Sequence, residues 1–327
     1  MKAIIRTKPG KHFSTMRVLE VDAPALGVNQ LKLRMSASRI NPVDMDLMKG
    51  FPGLKYKSPQ IGGVDGAGAV IAVGPEADGF KVGDQVFFYR KFSDIGSWAE
   101  EIVIDAADCA TIPSHMSPLE AGSIALPLLT AYESILALGL QRGDCILIHG
   151  AGGGVGFQAV QLALALGADV IAHGSSRDEA FLVSTGVNRF IDYRRDDFAD
   201  LLGDKPPDFI LDVIGGETLL KSLRLGPKKV LSVAYMDTSQ MQKTGVKLPP
   251  ILALLMKLMM GKYRRAARAS RVELLGQVTG ADGKHLSEAA ELATNYAFRV
   301  RKPKLVSIQD IEESGMNESL LGKTITF

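Results

Sequence analysis

The chain has 327 residues, of which 46% are hydrophobic and 23% charged, and its formal net charge is +2. This composition is typical of a soluble globular protein with room for two domains, and the spread of basic residues predicts neither a nucleic-acid nor a membrane partner. The two cysteines, Cys109 and Cys145, lie far apart and give neither a disulfide framework nor a CxxC zinc motif.

Two stretches of the sequence indicate where in the cell the protein is expected. The N-terminal "MKAIIRTKPG" has no long apolar segment of the kind found in a secretory signal. The stretch "LPPILALLMKLMMG" is interrupted by Lys257 and is too short to span a bilayer. We therefore expect a cytoplasmic protein.

Up to about residue 115, short runs rich in β-forming residues alternate with glycine and proline. The runs "MKAIIR", "QLKLRMSAS", "GAGAVIAVG", "DQVFFY" and "AEEIVID" have the composition of strands. Between two of them, Gly79 and Gly83 permit positive φ and Asp84 can close an Asx turn. This region predicts an antiparallel or barrel-like β unit.

The hydrophobic period changes at Ser117, which has the pattern of an N-cap followed by a proline in the first helical turn. Strand-like and helix-like segments then alternate, with strands at "CILIHG", "ADVIAHG", "RFIDY", "PDFILDVIG" and "KKVLSVA". Such alternation implies a parallel sheet covered on both faces. Near the end, "HLSEAAELATNYA" predicts a helix and "GKTITF" a strand, so the α/β block is inserted between a β unit and a C-terminal piece that returns to it.

A glycine cluster lies between the first strand and the first helix of this block. Read as A-x-G-x-x-G, it uses Ala151, Gly153 and Gly156, with Gly152, Gly154 and Val155 between them. Gly153 would let the backbone approach a pyrophosphate, and Gly156 would let the helix pack closely on the strand. The helix N-terminus supplies free N–H groups for the anion, so the six residues predict a dinucleotide site.

The end of the next strand favours NADPH over NADH. An NAD site usually has Asp or Glu there, whereas this chain has Ser175, Ser176 and Arg177, and its first acid is Asp178. Small hydroxyls beside a guanidinium suit a 2′-phosphate. Ser175 as the N-cap of the following helix is compatible with this interpretation, and His173 is interpreted as structural.

Several motifs in order resemble the zinc-free quinone oxidoreductase (zeta-crystallin-like) branch of the medium-chain dehydrogenase/reductase family. They are "RINPVDMDLMKG", "IGGVDGAGAVIAVG", "FKVGDQVF", "PLLTAYESIL", "HGAGGGVGFQAVQLA", "FIDYRRDDF", "LDVIGG" and "GKTITF". The resemblance implies an α/β fold with a GroES-like β-barrel catalytic domain at 1–118. An NADP-binding Rossmann domain would follow at 119–282, and a segment at 283–327 would return to the first domain. The family is often dimeric, so a homodimer is possible.

The motifs depart from the zinc-dependent branch of the same family. Where that branch has "GHE", this chain has Gly63, Val64 and Asp65, and valine cannot ligate a metal. The cysteine expected near 39–41 is replaced by "RIN", and the four-cysteine lobe is missing. We therefore expect no metal site and a hydride transfer that proceeds without Lewis-acid help.

The resemblance also suggests roles for individual residues. Asn41 and Asp44 fall near the nicotinamide pocket, where Asn41 could donate to a carbonyl and Asp44 could orient neighbours. Thr130 resembles the nicotinamide-contacting threonine, and Tyr193 the tyrosine beside the adenine ribose phosphate. For each of these four, a capping or packing role is the alternative. Tyr56 is a candidate proton donor or substrate contact.

The remaining candidates lie at strand ends, where open α/β sheets bind ligands. The backbone of Val213, Ile214, Val233 and Ala234 should line the nicotinamide, and Tyr235 is a second candidate substrate contact. The apolar "PPILALLMKLMM" is most simply a core helix, with a lid on the substrate mouth or a partner contact as alternatives. The basic "KYRRAARASR" is most simply a solvated helix face.

These observations predict an NADPH-dependent, zinc-independent reductase of a quinone or an α,β-unsaturated carbonyl. One alternative is a low-turnover NADPH-binding protein with an RNA-binding or structural role, which the basic run at 262–271 favours. A second alternative is an enoyl reductase of a carrier-bound chain. The expected partner is a small-molecule carbonyl or quinone, with neither nucleic acid nor membrane.

Overall fold

The computed structural model describes residues 1–7, 15–50, 54, 60–296 and 298–327, and all of Gln242 except its side chain. Tyr56, a predicted catalytic residue, lies outside the described residues. The chain folds into three sheets and ten helices within the described ranges.

The N-terminal strands lie in two sheets, in which they pair antiparallel with one another. These strands are β1 (Lys2–Arg6), β2 (Met16–Glu20), β3 (Gln30–Arg39), β4 (Gln60–Ile61), β5 (Asp65–Val73), β6 (Gln85–Tyr89), β7 (Glu101–Asp105) and β8 (Cys109–Thr111). The small sheet has the order β2-β1-β4, and β5, β6, β7 and β8 join β3 in the larger one. Helix α1 (Pro42–Gly50) follows β3 directly. The predicted strand runs therefore form the β unit that the sequence indicates.

Helix α2 (Pro118–Leu138) connects the two halves of the chain. It begins with a capping box in which Ser117 accepts from the Glu120 N–H, and it ends at Gly139, whose φ of 72° suits a left-handed C-cap. It is long and apolar enough to cross a membrane, but 72% of its most apolar 18-residue stretch is buried inside the protein. It packs against β3, β5 and β6 on one side and α3 (Gly154–Ala165) on the other, as expected for a core helix.

The second half is built on a parallel sheet of six strands. They are β9 (Cys145–His149), β10 (Asp169–Gly174), β11 (Arg189–Asp192), β12 (Phe209–Asp212), β13 (Lys229–Ser232) and β14 (Glu273–Gly276). Their order, β11-β10-β9-β12-β13-β14, is that of a dinucleotide-binding doubly wound sheet. The order reverses between β9 and β12, which places a crevice at the carboxyl ends of these two strands.

Helices cover both faces of this sheet, and a last segment returns to the β unit. The remaining helices are α4 (Ser176–Val183), α5 (Phe198–Leu202), α6 (Gly216–Leu225), α7 (Pro250–Met259), α8 (Gly261–Ser270), α9 (Gly283–Asn295) and α10 (Ile308–Ser314). Strands β15 (Leu305–Ser307) and β16 (Thr324–Thr326) extend the larger N-terminal sheet, where β16 pairs antiparallel with β3. The predicted α/β class, with an N-terminal β unit and a doubly wound parallel-sheet unit, is confirmed.

One element differs from its predicted environment. Helix α7 forms as expected, but its apolar side chains are not in the core, since Ile251 is 77% exposed and Leu258 is 66% exposed. Among its residues only Met256 is buried. The core-helix interpretation of "PPILALLMKLMM" was therefore wrong.

Candidate functional site

A cleft of about 1210 Å³ runs along the carboxyl ends of the parallel strands and reaches the N-terminal β unit. The glycine turn and α2 form its middle. One end is polar and lined by side chains of both charges, and the other is bounded by the start of α1 and by Leu321 and Gly322. The volume exceeds that of a typical drug-sized pocket and is sufficient for a dinucleotide beside a second small molecule.

The glycine turn has the geometry of a phosphate cradle. Gly153 is the N-cap of α3, and its N–H donates to the Gly150 carbonyl at 2.8 Å. A Cβ on Gly156 would lie 2.2 Å from that same carbonyl oxygen, so only glycine allows α3 to pack this closely. Because the first N–H groups of a helix have no partner inside it, the start of α3 presents donors to the cleft.

Basic side chains gather at one end of the cleft. Arg177, Tyr193, Arg194, Arg195 and Lys221 all line it there. The Arg194 guanidinium lies 5.5 Å from the centroid of the Tyr193 ring. Lys221 pairs with Asp197, whereas neither Arg194 nor Arg195 forms an ion pair with any residue in the described ranges. Carboxyl groups of Asp197 and Glu217 at this end are paired with Lys221 and Arg224, so the guanidinium groups of Arg194 and Arg195 are available to an anionic group.

The first acid after β10 is engaged in an ion pair. Asp178 is buried and accepts from Arg301 at 2.8 Å, and Arg177 lies 3.8 Å away on its other oxygen. Arg301 stacks its guanidinium over Phe157 and Phe181, 4.9 and 4.6 Å from their centroids. Two arginines thus compensate the charge of Asp178 beside the cradle.

Two histidines lie beneath the basic end. His149 and His173 approach each other through their Nδ1 atoms at 2.7 Å, and His149 Nε2 lies 2.9 Å from Ser222 Oγ. Burial lowers the pKa of both imidazoles, so both are neutral at pH 7. His173 lines the cleft, whereas His149 is fully buried.

Hydrogen bonds connect the carboxyl ends of β12 and β13. Asp212, fully buried, accepts from the N–H groups of Ile214 and Gly215 and from the Ser232 hydroxyl at 2.7 Å. Ser232 in turn accepts from the Ala234 N–H at 3.1 Å. This network fixes the backbone that carries the predicted nicotinamide-lining residues.

A buried polar group surrounds Asn41 at the other end. Asn41 Nδ2 donates to Asp65 at 3.0 Å, and Asp65 also accepts from the Leu126 N–H at 3.1 Å. The Asn41 N–H donates to Asp44 at 2.7 Å. Burial raises the pKa of Asp65 to about 7, and burial together with the nearby Asp65 raises that of Asp44 well above its usual range.

A second polar group joins α2 to β14 and α9. The Thr279 hydroxyl donates to Thr130 at 3.0 Å, and both residues line the cleft. One turn further along α2, Glu133 accepts from Gln277 at 2.7 Å and lies 3.3 Å from His285. Glu133 and His285, with Asp282, bring their polar atoms within 4.8 Å of one another. Hydrogen bonds and ion pairs account for this arrangement.

The structure brings most of the predicted site residues to the cleft. Those that line it are Asn41, Thr130, Gly152, Gly153, Gly154, Val155, Ser175, Arg177, Tyr193, Val213, Ile214 and Val233. Ser175 also caps α4, as its alternative interpretation proposed.

Other predicted residues lie behind the lining. Asp44 is 1% exposed and holds the backbone of Asn41, so it is placed to orient and not to touch a substrate. Ala151 and Gly156 are buried under the turn, and Ser176 bonds to Asp192. Ala234 is not among the lining residues. Tyr235, also absent from the lining, packs against Tyr263.

Several lining residues were not predicted. Arg194 and Arg195 follow Tyr193 directly in "IDYRRDD", so the sequence contained a signal for them. Lys221, Gln277 and Thr279 carry no local signal, because only the packing of α6 and the path of the chain after β14 bring them to the cleft.

Comparisons with known proteins agree with this geometry. Residues 27–114 match the alcohol dehydrogenase GroES-like domain. The chain is 33% identical to the synaptic vesicle membrane protein VAT-1 homolog of Homo sapiens over 62% of this chain and 52% of that protein. It is 34% identical to 2-methylene-furan-3-one reductase of Solanum lycopersicum, over 64% and 56%. It is 30% identical to quinone oxidoreductase of Sus scrofa, over 63% and 64%.

These matches cover less than two thirds of each relative's own length. The whole fold is nevertheless shared with an alcohol dehydrogenase superfamily protein from Novosphingobium aromaticivorans. That structure has a TM-score of 0.77 at 26% identity and covers 100% of this chain and 99% of its own. Together, these findings show that the chain contains an alcohol dehydrogenase GroES-like domain, shares its whole fold with an alcohol dehydrogenase superfamily protein, and is similar in sequence to a quinone oxidoreductase and to a furanone reductase.

Proposed function

We propose that this protein is an NADPH-dependent, zinc-independent reductase that transfers hydride to a quinone or an α,β-unsaturated carbonyl. The observation that carries the proposal is the single cleft that joins the glycine cradle and its basic end to Asn41 and Thr130. Two relatives are named for reactions of this kind, the reduction of a methylene-furanone and the oxidoreduction of quinones. The similarity to quinone oxidoreductases and the glycine cradle support a nicotinamide cofactor.

The residues present fit such a cofactor. A Cβ at Gly152 would lie 2.2 Å from Asp178 Oδ2, and the close approach at Gly156 likewise leaves no room for a side chain. Arg177, Arg194 and Arg195 would hold a 2′-phosphate, while Asp178 is already paired with Arg301. This arrangement favours NADPH over NADH.

When bound, the nicotinamide supplies the hydride, and the chain supplies position and electrostatics. Reduction of a conjugated carbonyl or quinone places negative charge on an oxygen. Asn41 lines the cleft and its side chain interacts with both Asp65 and Asp44, so an acceptor oxygen in the cleft would share the Asn41 amide with these two carboxyl groups. The apolar ends of β12 and β13, with Val213 and Val233, shield the reacting region from water.

The residue types in the cleft support a reaction without zinc. Val64 stands where the zinc-dependent branch has histidine, and its side chain is fully buried in the core. In the described part of the lining, the only histidine or cysteine is His173, which lies at the basic end. Charge stabilisation then rests on hydrogen-bond donors such as Asn41.

A screen of NADPH oxidation tests the proposal. The purified protein would be assayed with quinones, short enones and saturated aldehydes, with NADPH and NADH side by side. We expect turnover of quinones or enones with NADPH and little with saturated aldehydes. Tight NADPH binding with no turnover of any acceptor would instead support the low-turnover binding protein. We further propose a cytoplasmic location, and a homodimer remains a prediction.

A further inference from the structure

Helix α7 presents a continuous apolar face to solvent. Its members, hereafter the α7 face, are Ile251, Leu254, Leu255, Leu258 and Met259, which are 77, 58, 51, 66 and 67% exposed. Their spacing places them on one side of the helix. Because exposed apolar area of this kind is costly in water, a contiguous patch marks a contact surface.

The α7 face is not part of the cleft. No described residue of α7 or α8 lines it, and the described chain between β13 and α7 contributes only Val233, Met236 and Met241. The lid interpretation therefore does not account for the exposure of these side chains.

The same segment carries an uncompensated positive charge. Between residues 238 and 272 the chain has no acidic residue and eight basic ones: Lys243, Lys247, Lys257, Lys262, Arg264, Arg265, Arg268 and Arg271. Among the described residues none of the eight forms an ion pair, although other lysines and arginines of the chain do. On α8 the side chains of Lys262, Arg265 and Arg268 are exposed.

We propose that α7 and α8 form a docking surface for an anionic lipid bilayer. A ten-residue helix is about 15 Å long, roughly half the thickness of the hydrocarbon core, so α7 would lie in the membrane interface and would not cross it. Apolar side chains of an interfacial helix enter the boundary between headgroups and acyl chains, and nearby lysines and arginines attract anionic headgroups. The exposed apolar face of α7 and the cations of α8 provide both parts of this pattern. The proposal differs from the expectation, drawn from the spread of basic residues, that the protein has no membrane partner.

A second copy of the chain fits this surface less well. A symmetric contact through α7 and α8 would bring two sets of unpaired cations together, and such like-charge contacts cost free energy. RNA would be attracted by the cations of α8, but it offers no apolar surface against which the aliphatic α7 face could be buried. An anionic bilayer satisfies both features.

Vesicle flotation tests the proposal on the full chain. The probes are phosphatidylcholine vesicles with and without about 30% phosphatidylserine, at about 0.1 M and about 0.5 M salt. We expect binding to the anionic vesicles to exceed that to neutral ones by about tenfold or more, and to fall at high salt.

Two triple variants separate the contributions. I251S/L254S/L258S should reduce binding at both salt concentrations, and K262Q/R265Q/R268Q should reduce it mainly at low salt, each by about tenfold. The matched controls V28S/V82S and K81Q/K205Q/K304Q change exposed residues elsewhere and should bind within about twofold of wild type. Because every altered side chain is exposed, circular dichroism and Tm should remain close to wild type.

The proposal is overturned if wild type does not bind anionic vesicles, or if the control variants lose as much binding as the α7 and α8 variants. It is also overturned if I251S/L254S/L258S changes only the sedimentation coefficient, which would identify a second copy as the occupant. Retention of a short single-stranded RNA that depends on the α8 cations but not on the α7 face would assign the surface to RNA. None of these outcomes depends on NADPH turnover.

Discussion

His149 and His173 share one proton across 2.7 Å between their Nδ1 atoms. The direction of this hydrogen bond follows from Ser222, whose hydroxyl donates to the Thr218 carbonyl at 2.8 Å and so accepts from His149 Nε2. His149 Nδ1 is then the acceptor and His173 Nδ1 the donor. A proton added to His149 Nδ1 would remove the acceptor of this hydrogen bond, and a charge on either ring would be buried.

The first prediction concerns stability in acid. Both imidazoles have a pKa below the ordinary value of 6.5, so the unfolded chain binds protons that the folded chain does not, and stability falls as the pH drops below about 6.5. His173→Asn keeps a donor near the Nδ1 position without the titration. Between about pH 8 and about pH 5.5, wild type should lose about 1 kcal/mol more of its free energy of unfolding than this variant. Urea unfolding at the two pH values measures the difference.

The comparison with a variant is needed because Asp65 changes the pH dependence of stability in the opposite direction. Its raised pKa, about 7, gives a contribution to the free energy of unfolding that is present in acid and is lost as the pH rises through 7. The exposed His115→Asn serves as control and should show the pH dependence of wild type. If His173→Asn and His115→Asn behave alike, the histidine pair does not set this dependence.

The second prediction concerns cofactor preference. Arg177→Glu and Arg195→Glu should each raise the Kd for NADPH by about tenfold or more and change that for NADH by about threefold at most, because only NADPH has the 2′-phosphate. Calorimetric titration of both cofactors provides the measurement. Arg189→Glu makes the same charge change on the exposed side of β11, outside the cleft lining, and should alter the two affinities equally. Equal losses of NADPH and NADH for Arg177→Glu would place that residue outside the phosphate site.

The third prediction concerns Asn41. Asn41→Ala removes an amide that lines the cleft and should lower kcat by about 10- to 100-fold while the Kd for NADPH remains within about twofold. It also leaves Asp65 without one donor, so the free energy of unfolding should fall by about 1 to 3 kcal/mol. Asp46→Ala, an exposed lining residue on α1, should leave kcat close to wild type. A similar kcat for both variants would remove Asn41 from the mechanism.

The fourth prediction concerns the glycine cradle. A Cβ at Gly156 would lie 2.2 Å from the Gly150 oxygen and 2.9 Å from the Ala151 Cα, both backbone atoms, so Gly156→Ala must displace α3. We expect a loss of about 1 to 3 kcal/mol in unfolding free energy and a Kd for NADPH raised about tenfold or more. Gly261→Ala has its nearest neighbour at 3.7 Å, the flexible end of Arg265, and should change stability by less than about 1 kcal/mol. Normal NADPH binding by Gly156→Ala would contradict the cradle.

The fifth prediction concerns metal removal. Val64 offers no ligand, and charge stabilisation is assigned to Asn41, so dialysis against a strong chelator should leave the rate of NADPH oxidation within about twofold of the untreated rate. A rate that falls and returns only when zinc is added would show that the zinc-independent assignment is wrong. The same dialysis of a zinc-dependent alcohol dehydrogenase provides the positive control.

The parts of the fold set by local chemistry could be predicted from the sequence. Ser117, Pro118 and Gly139 mark the ends of α2 through capping and backbone preference, and "AGGGVG" between a buried strand and a helix predicts the cradle. The strand β14 and the exposure of α7 were missed. Apolar residues at helical spacing indicate a helix, but the same spacing fits burial in a core and contact with another surface.

The same distinction applies to the site residues: those set by local sequence were predicted, and those brought in by packing were not. Residues on the glycine turn and at strand ends were found because the fold class determines their position. Lys221 and Thr279 were missed because they reach the cleft only through the packing of α6 and the path after β14. Asp44 lies in the first turn of α1 beside the cleft, but its side chain turns inward to accept from the Asn41 N–H, an orientation that local sequence does not encode.

The pairing of β16 with β3 has a consequence for synthesis on the ribosome. Thr324 pairs with Arg39, two residues before Asn41, and Gly322 beside it lines the cleft. The N-terminal β unit therefore emerges long before the strand that completes its sheet, while the parallel sheet is translated in between. Strand β7 already pairs with Gln30–Arg34, but until β16 arrives the end of β3 at Ala37–Arg39 is an open edge, so nascent chains would depend on a chaperone or on the rapid folding of the parallel sheet to avoid aberrant strand pairing there.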